Sequence, residues 1–351
     1  MRMYAGVDVH RGFCQTTVMD EQGAIVERAK IPTDTEHLAA FFERYRDAHA
    51  VIESNTIGEF VYETLDRLGV DVCLASPAQV KAIAQARVKT DTVDATTLAH
   101  LLRTNLIPEA WVGDEEVREL RKDVRARRGL RDISTELKNQ IYAEMIRKGI
   151  AYEDGVLRSK KGRAWVRNQF ADNPRVIARL DLMEQTEATI DTYNKTVLLP
   201  KFTEESQAPL LVTIPGVGYY TALTVVALIG DVERFPDSDH LVSYAGLAPR
   251  VRQSATTLHL GPITKEGPSE LRWVLVEAVH SHLKHCNTKE ACTLCGFYRR
   301  LSRRRGQMKA TVATAAKLLR VMYWMLKMNQ PYRPQGLDPE VGHAGEPPVD
   351  D

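Results

Sequence analysis

Four carboxylates in the first hundred residues of this 351-residue chain stand where a hard cation could be held. Asp8 lies inside the apolar run Gly6-Val7-Asp8-Val9, where an ionised side chain is costly unless it is paired or meets a cation. Glu53 closes the run Val51-Ile52-Glu53, and Asp91 and Asp94 stand three residues apart, the spacing that puts two side chains on one face of a helix. Singly, each has a plainer role: Asp8 as a paired core acid, Asp91 or Asp94 as a helix cap. Brought together, their oxygens would repel unless divalent cations sat between them, and Mg²⁺, which takes few protein ligands and keeps several waters, suits such a set. Two such ions about 3.5–4 Å apart stabilise the attacking and leaving oxygens of a phosphoryl transfer.

Whether the four meet depends on the elements that carry them. Tyr4–Val9 is a short apolar run, Phe13–Met19 alternates, and Ala24–Ile31 is strand-like after the turn signal Asp20-Glu21-Gln22-Gly23. Thr33 or Asp34 can cap a helix running to about Arg46, followed by a buried strand at Ala50–Glu53. A helix near Glu59–Leu68, a strand at Asp71–Ala75, a short helix from Pro77 and a longer one from Asp91 to Thr104 complete the region. This β-β-β-α-β-α-β-α order is that of an α/β ribonuclease-H-like (RuvC-like) domain with a mixed sheet, here assigned to residues 1–112. Its first and fourth strands are neighbours and its last helix crosses their ends, so the carboxylates would converge. A dinucleotide-binding fold is disfavoured, since the first three strands have no intervening helices and no G-x-G-x-x-G follows the first. The sugar-kinase/actin fold would need further glycine-rich phosphate turns and a second sheet repeat, and neither is found.

Composition bounds the rest. The chain is 44% hydrophobic and 26% charged, ordinary for a globular protein, and no stretch approaches the ~18 unbroken apolar residues of a membrane span. Five cysteines in this length make no disulfide framework, so a reducing cytoplasm is expected. The net charge of +1 hides a gradient. Residues 1–100 carry 10 Lys/Arg against 15 Asp/Glu, whereas residues 297–327 carry nine bases and no acid. An acidic front and a basic back fit carboxylate chemistry in one place and polyanion binding in another, although a solvated basic helix would look the same.

Residues 113–205 have apolar side chains at helical spacing (Leu120, Val124, Leu130, Ile133, Leu137, Ile141, Met145), which predicts long, coiled-coil-like linker helices. The basic stretch Arg121–Arg131 within them is either a nucleic-acid or dimer contact or a solvated face. Residues 206–330 read as a mainly α domain. Its turn Pro215-Gly216-Val217-Gly218 fits a helix-hairpin-helix-like element whose glycines let backbone N–H groups approach phosphate, or equally a simple packing joint. A loop is expected over Pro249–Pro268, then helices over Ser269–Lys284 and Gln307–Met328. The acidic, proline-rich tail 331–351 is expected to be disordered. His280, His282, His285, Cys286, Cys292 and Cys295 gather within 16 residues, and the C-x-x-C pair with His285 or Cys286 could bind zinc. The preceding part reads as one continuous amphipathic helix, so this segment is left out of the expected metal set.

These motifs resemble the DEDD-motif insertion-sequence transposases, the family that includes Piv-type DNA invertases and bridge-RNA-guided recombinases. In front, Gly6-Val7-Asp8-Val9-His10, Glu53 and Lys89-Thr90-Asp91-x-x-Asp94-Ala95 fall on the family's RuvC-like metal motifs. Behind, Ile214-Pro215-Gly216-Val217-Gly218, Tyr244-Ala245-Gly246-Leu247-Ala248-Pro249 and Gly261-x-Ile263-x-Lys265-x-Gly267-x-x-x-Leu271-Arg272 follow its transposase domain in order and spacing. The resemblance implies a catalytic serine at Ser254. It also implies a composite site completed by another protomer of a dimer or tetramer, and strand exchange between donor and target double-stranded DNA guided by a structured bridge RNA. The sequence departs from the family at Ala255, usually Gly, and at Thr92, commonly Arg.

Rejoining DNA without an outside energy source requires that the phosphodiester bond energy be kept, which attack by a side-chain hydroxyl does and attack by water does not. A serine hydroxyl is weak at neutral pH and needs charge neutralisation at the phosphate. Arg250, Arg252, Lys265 and Arg272 surround Ser254 in sequence and are candidate phosphate ligands, as are Gly216 and Gly218. Arg299, Arg300, Arg303, Arg304 and Arg305 are candidates for the nucleic-acid backbone. The competing readings are a RuvC-like nuclease or junction resolvase with a structural Ser254, and a non-catalytic nucleic-acid-binding protein.

Overall fold

The computed structural model describes residues 2–54, 56–83, 90–254 and 257–335, which form two units meeting at Val112/Gly113. In the first unit, β1 (Tyr4–Val9), β2 (Phe13–Met19) and β3 (Ile25–Pro32) run as an antiparallel meander. The chain continues through α1 (Thr35–Phe42), β4 (His49–Glu53), α2 (Thr56–Arg67), β5 (Asp71–Ala75), α3 (Pro77–Ile83), α4 (Asp91–Arg103) and the short β6 (Glu109–Ala110). The sheet order is β3-β2-β1-β4-β5-β6, with β1/β4 and β4/β5 parallel and β5/β6 antiparallel. β6 carries too few residues to show a period, and it alone lacks a counterpart among the expected elements.

Alternation along the central strands divides the first core. Ala5, Val7, Val9, Ala50 and Ile52 pack with Leu38, Phe41, Phe42, Val61 and Leu65 on one face of the sheet. Val51 and Ala75 pack with Leu98 and Leu102 of α4 on the other. Gly6 belongs to this second face, and a Cβ there would lie 2.1 Å from Ala95 O and 2.5 Å from Ala99 N. Absence of a side chain thus lets α4 lie directly on β1. The buried Thr17 of β2 fixes the same helix through a 3.1 Å hydrogen bond to the Thr96 hydroxyl.

The second unit opens with α5 (Glu115–Arg147), α6 (Lys160–Gln169), α7 (Pro174–Tyr193) and α8 (Leu199–Glu204). Leu137, Ile141 and Met145 of α5 share a core with Val166, Phe170, Val176, Leu180 and Met183, so the expected long helices fold back on one another. There follow α9 (Ala208–Val212), α10 (Tyr219–Ile229), α11 (Ser238–Tyr244), β7 (Pro249–Ser254), β8 (Thr257–Ile263), α12 (Ser269–His285), α13 (Thr293–Arg305) and α14 (Gln307–Met328). A larger core joins α10, α12 and α14, and it includes Leu120 and Val124 of α5.

Two features differ from the sequence reading. The expected loop at 249–268 holds an antiparallel β7–β8 hairpin, whose Pro249, Gly261 and Pro262 read in the sequence as loop punctuation. The tail reading fails at its start, because Tyr332 N donates to Thr213 Oγ1 (2.8 Å) and the Tyr332 hydroxyl meets Cys292 Sγ at 3.3 Å. The remainder of that reading, 336–351, lies outside the described residues. Among the described residues no helix is long and apolar enough to cross a membrane.

Candidate active site

Asp8 lies two residues beyond Gly6 on β1 and shares its face of the sheet, the face on which α4 lies. Thr90 caps α4 by accepting from Val93 N (3.3 Å), so Asp91 and Asp94 occupy the first turn, where acidic side chains also meet the positive end of the helix dipole. Val7 pairs with Ile52 on the parallel strand, and the same register carried one residue further sets Glu53 beside Asp8. Sheet order and the glycine gap therefore bring Asp91 to Asp8, with Asp94 in the same helical turn and Glu53 at the end of the adjacent strand.

Side-chain positions are tightest for three groups. His10 Nε2 lies 3.1 Å from Asp8 Oδ2 and 3.3 Å from Asp91 Oδ2. Potential ligand atoms of Asp8, His10 and Asp91 all fall within 4.8 Å of one another. The Asp8 side chain is only 13% exposed, whereas that of Asp91 is 49% exposed, so the cluster opens on one side. Burial pushes the Asp8 carboxyl above its ordinary range; His10 opposes this, while the charges of Asp94 and Asp91 push the same way. A divalent cation would relieve this excess of negative charge.

His10 joins the site although the sequence pattern assigns it no role of its own. It falls in the same run two residues after Asp8, which is the signal that could have found it. Its backbone is held by Phe13 O, which accepts from His10 N (2.9 Å), and by Thr33 Oγ1, which donates to His10 O (2.9 Å). Its ring packs 4.7 Å from that of Phe13.

In the second unit, Ser254 is the last residue of β7, paired in register with Thr257; Ala255 lies outside the described residues. The base of this hairpin is locked by two left-handed glycines. A Cβ on Gly246 (φ +67°) would lie 2.0 Å from Glu266 O, and one on Gly267 (φ +84°) 1.9 Å from Tyr244 O. Lys265 N donates to Gly246 O (3.0 Å) and Thr264 N to Ala248 O (2.9 Å). Arg272 Nη1 lies within hydrogen-bond reach of the carbonyls of Ala245 (3.1 Å) and Gly267 (3.0 Å). Arg272 thus acts as a clamp on the hairpin's base. Lys265 is exposed at φ +59°, and the exposed Arg250 donates through Nη2 to Thr264 O (3.3 Å).

The other candidate cations divide in the same way. Arg121 Nε donates to Ala227 O (2.7 Å), Arg127 stacks 3.8 Å from the centre of the Tyr220 ring, and Arg128 stacks 3.7 Å from that of Trp273. The basic stretch of α5 therefore engages α10 and α12 of its own unit. Gly216 (φ +88°) is pressed on α12, since a Cβ would lie 2.6 Å from the Ser281 carbonyl carbon, which makes this turn a packing joint there. Gly218 has nothing within 4 Å of its Cβ position and precedes α10. Arg299, Arg300, Arg303, Arg304 and Arg305 are exposed on α13, and Arg299 also donates to Lys289 O (2.8 Å).

A mixed-sheet α/β domain bearing clustered carboxylates, followed by a mostly helical domain with a glycine-locked hairpin, has the organisation of a DNA transposase and is compatible with a RuvC-like fold. Residues 5–146 match a transposase family profile of the DEDD type from IS110 elements, and residues 208–294 match the transposase IS116/IS110/IS902 family. The chain belongs to the IS110/IS116 family of insertion-sequence transposases. It is 25% identical over 345 residues to the transposase for insertion sequence element IS1111A of Coxiella burnetii, covering 93% of this chain and 90% of that protein. It is 33% identical over 129 residues to the pilin gene-inverting protein of Moraxella lacunata, covering 36% of this chain and 38% of that one. Membership makes the chain a DNA-cutting and rejoining enzyme, and its DEDD-type domain points to divalent-metal use.

Proposed function

We propose that this protein moves an insertion sequence by cutting and rejoining DNA through a serine that becomes covalently joined to phosphorus. The observation that carries this reading is the gathering of Asp8, His10 and Asp91 at the end of β1, with Asp94 in the same helical turn and Glu53 on the adjacent strand. Asp8, Glu53, Asp91 and Asp94 would hold two Mg²⁺ ions, which when bound polarise phosphate oxygens and neutralise developing charge. His10 restrains the orientation of Asp8 and Asp91 by standing between them.

Ser254 Oγ attacks phosphorus and forms a new P–O bond, while the bond from phosphorus to the departing sugar oxygen breaks. The serine proton is released and the departing oxygen takes up one. A sugar hydroxyl of a second DNA end then displaces Ser254 from the same phosphorus, restoring its hydroxyl, so that no external energy source is needed. The hairpin's locked base supports this role, because a nucleophile must be held in a near-attack position. Arg250, Arg252 and Lys265 bind phosphate beside Ser254, Gly218 offers backbone N–H to phosphate, and the α13 arginines hold the backbone farther along. Ser254 and the carboxylates belong to different units of the chain, and we assign the completed site to a pair of protomers in a dimer or tetramer. A structured bridge RNA pairs with donor and target DNA. Action on the chromosome places the protein at the nucleoid in the cytoplasm.

The test incubates labelled donor and target DNA with protein, Mg²⁺ and RNA transcribed from sequence flanking the gene, followed by a denaturing gel. A protein–DNA adduct that disappears in Ser254→Ala is the expected result. Mg²⁺-dependent cleavage unchanged in Ser254→Ala would replace this reading with a hydrolytic nuclease. DNA binding with no strand breakage, in wild type and Asp8→Ala alike, would leave a binding protein.

A further inference from the structure

Away from the carboxylates and the serine hairpin, the second unit contains a buried cluster that the DNA chemistry does not use. His282 near the end of α12, Cys286 just beyond it, Cys292 and Cys295 each bring one potential ligand atom within 4.8 Å of all the others. All four residues are at most 2% exposed. In the sequence, the C-x-x-C pair with His285 or Cys286 follows residues that read as one continuous helix, which argues against a metal site there. The helix is real, yet it ends at His285 and delivers His282 and Cys286 to the same point one turn apart. His285 is turned elsewhere, with Nδ1 lying 2.8 Å from Ser281 O.

The orientation of the His282 ring follows from its partner. Its Nδ1 lies 2.9 Å from Pro215 O, which can only accept, so Nδ1 donates there and the lone pair available to a metal is that of Nε2. That lone pair faces the thiols, with Cys292 Sγ at 3.3 Å. An imidazole oriented by a backbone carbonyl through its far nitrogen is the arrangement by which proteins fix a metal-ligating histidine. Cys292 Sγ also meets the Tyr332 hydroxyl at 3.3 Å, and Cys286 Sγ lies 3.7 Å from Thr288 Oγ1, so hydroxyls stand around the sulfurs as a second layer. Tetrahedral zinc with bonds of about 2.3 Å to sulfur and about 2.0 Å to nitrogen needs ligand atoms about 3.5–3.8 Å apart, a span this cluster encloses.

We propose that His282, Cys286, Cys292 and Cys295 form a structural zinc site. Three thiolates and an imidazole are soft donors that disfavour Mg²⁺ and suit zinc, and four protein ligands leave no open position for catalysis. The metal takes the three sulfurs as thiolates, so its affinity rises with pH. The ion ties the end of α12 to the start of α13 and, through Pro215 and Tyr332, draws in the α9–α10 turn and the segment after α14. It thereby fixes the base of the helix that carries Arg299–Arg305. This assignment is independent of the serine chemistry.

The test uses the full-length protein purified without added metal. Elemental analysis by mass spectrometry is expected to find about one zinc per chain, and Co²⁺ exchange is expected to give intense thiolate-to-cobalt charge-transfer bands with tetrahedral d–d bands. Cys292→Ser and His282→Ala should lose at least about nine-tenths of the zinc, given the dependence of such sites on each ligand. Cys73→Ser and Asp8→Asn should retain it; Cys73 is the needed comparison because it gathers with His49 and Glu109 in the first unit. If the ligand variants do not fold, the wild-type measurements decide alone. Wild-type protein that carries no zinc and shows no thiolate–cobalt bands, that holds iron instead, or whose zinc survives in soluble Cys292→Ser, would overturn the assignment.

Discussion

Gly6 of β1 stands beneath Ala95 of α4 so closely that its missing Cβ would lie 2.1 Å from the Ala95 carbonyl oxygen. This single gap sets how near the first turn of α4, with Asp91 and Asp94, comes to Asp8 two residues further along β1. The strand cannot yield, since β2 and β4 pair with it on both sides. Any added side chain must be accommodated by the helix moving away, and the acidic cluster would widen with it.

Gly6→Ala is therefore expected to destabilise the first unit by about 3 kcal/mol, the upper range for inserting a methyl group into a filled core. Thermal unfolding should fall by about 6–10 °C, and Mg²⁺-dependent cleavage should be lost even where the protein remains folded. Gly12→Ala is the comparison: a Cβ there meets nothing within 4 Å, and its unfolding temperature should stay within about 1–2 °C of wild type. Equal effects from both substitutions would contradict the role given to Gly6.

Asp8 carries a pH dependence whose sign is fixed by its environment. Burial first, then the charges of Asp94 and Asp91, raise its carboxyl above the ordinary 3.8, with His10 opposing them. An acid whose folded pKa is raised lends stability that is fully present below 3.8 and is lost as pH rises through the folded value. Metal-free protein at neutral pH therefore bears an ionised Asp8 at a cost, and Asp8→Asn should raise its melting temperature by about 1–3 °C. Mn²⁺ or Mg²⁺ should stabilise wild type but not Asp8→Asn, and calorimetry with and without EDTA separates the two effects. Metal stabilisation that survives in Asp8→Asn would remove Asp8 from the ligand set.

Why the carboxylate site was legible in the sequence, and the hairpin less so, follows from what each is made of. Asp8 and Glu53 interrupt strongly apolar strands, and the 3-residue spacing of Asp91 and Asp94 is a helix period, so local pattern carries the information. His10 was harder because a polar residue after a strand end is commonplace, and only the approach of α4 gives it two acidic partners. The β7–β8 hairpin depends on contacts between segments about twenty residues apart: Gly246 on Glu266, and Gly267 on Tyr244. Neither glycine announces its partner. Likewise, whether the α5 arginines face solvent or the aromatic rings of Tyr220 and Trp273 is decided by packing that no period within α5 encodes.

The interlocked glycines make their own prediction. Gly246→Ala and Gly267→Ala each place a Cβ about 2 Å from a backbone oxygen and force L-side-chain backbone into the left-handed region. Each is expected to cost about 2–4 kcal/mol and to loosen the hairpin from its base, exposing residues 249–263 to limited proteolysis. Under the proposed function, serine–DNA adduct formation should fall by at least about a hundredfold, because a misplacement of about 1 Å has that effect on a positioned nucleophile. Bound Mn²⁺ at the first unit, read by electron paramagnetic resonance, should be unchanged. An adduct yield near wild type in a loosened hairpin would detach the locked base from the chemistry.

The α13 arginines separate nucleic-acid binding from simple solvation of a basic helix. Arg299, Arg300, Arg303 and Arg304 recur at i, i+1, i+4 and i+5 and so form one stripe, while Arg299 also closes the loop before α13 through Lys289 O. Bases in a helix's last turn are favourable to its dipole in any case, which is the plainer reason for Arg303–Arg305 to be there. A phosphate contact adds something the dipole does not, since it releases counterions and steepens the fall of affinity with salt by about 0.9 in the log–log slope. Replacing Arg300, Arg303 and Arg304 together by alanine should flatten that slope by about 2–3 and weaken duplex binding about 10–100-fold at low salt, with helicity and unfolding temperature nearly unchanged. Arg299→Ala should act differently, with a smaller change in slope and a measurable loss of stability from the freed loop carbonyl. A triple variant that binds DNA with the wild-type salt dependence would return α13 to the role of a solvated surface.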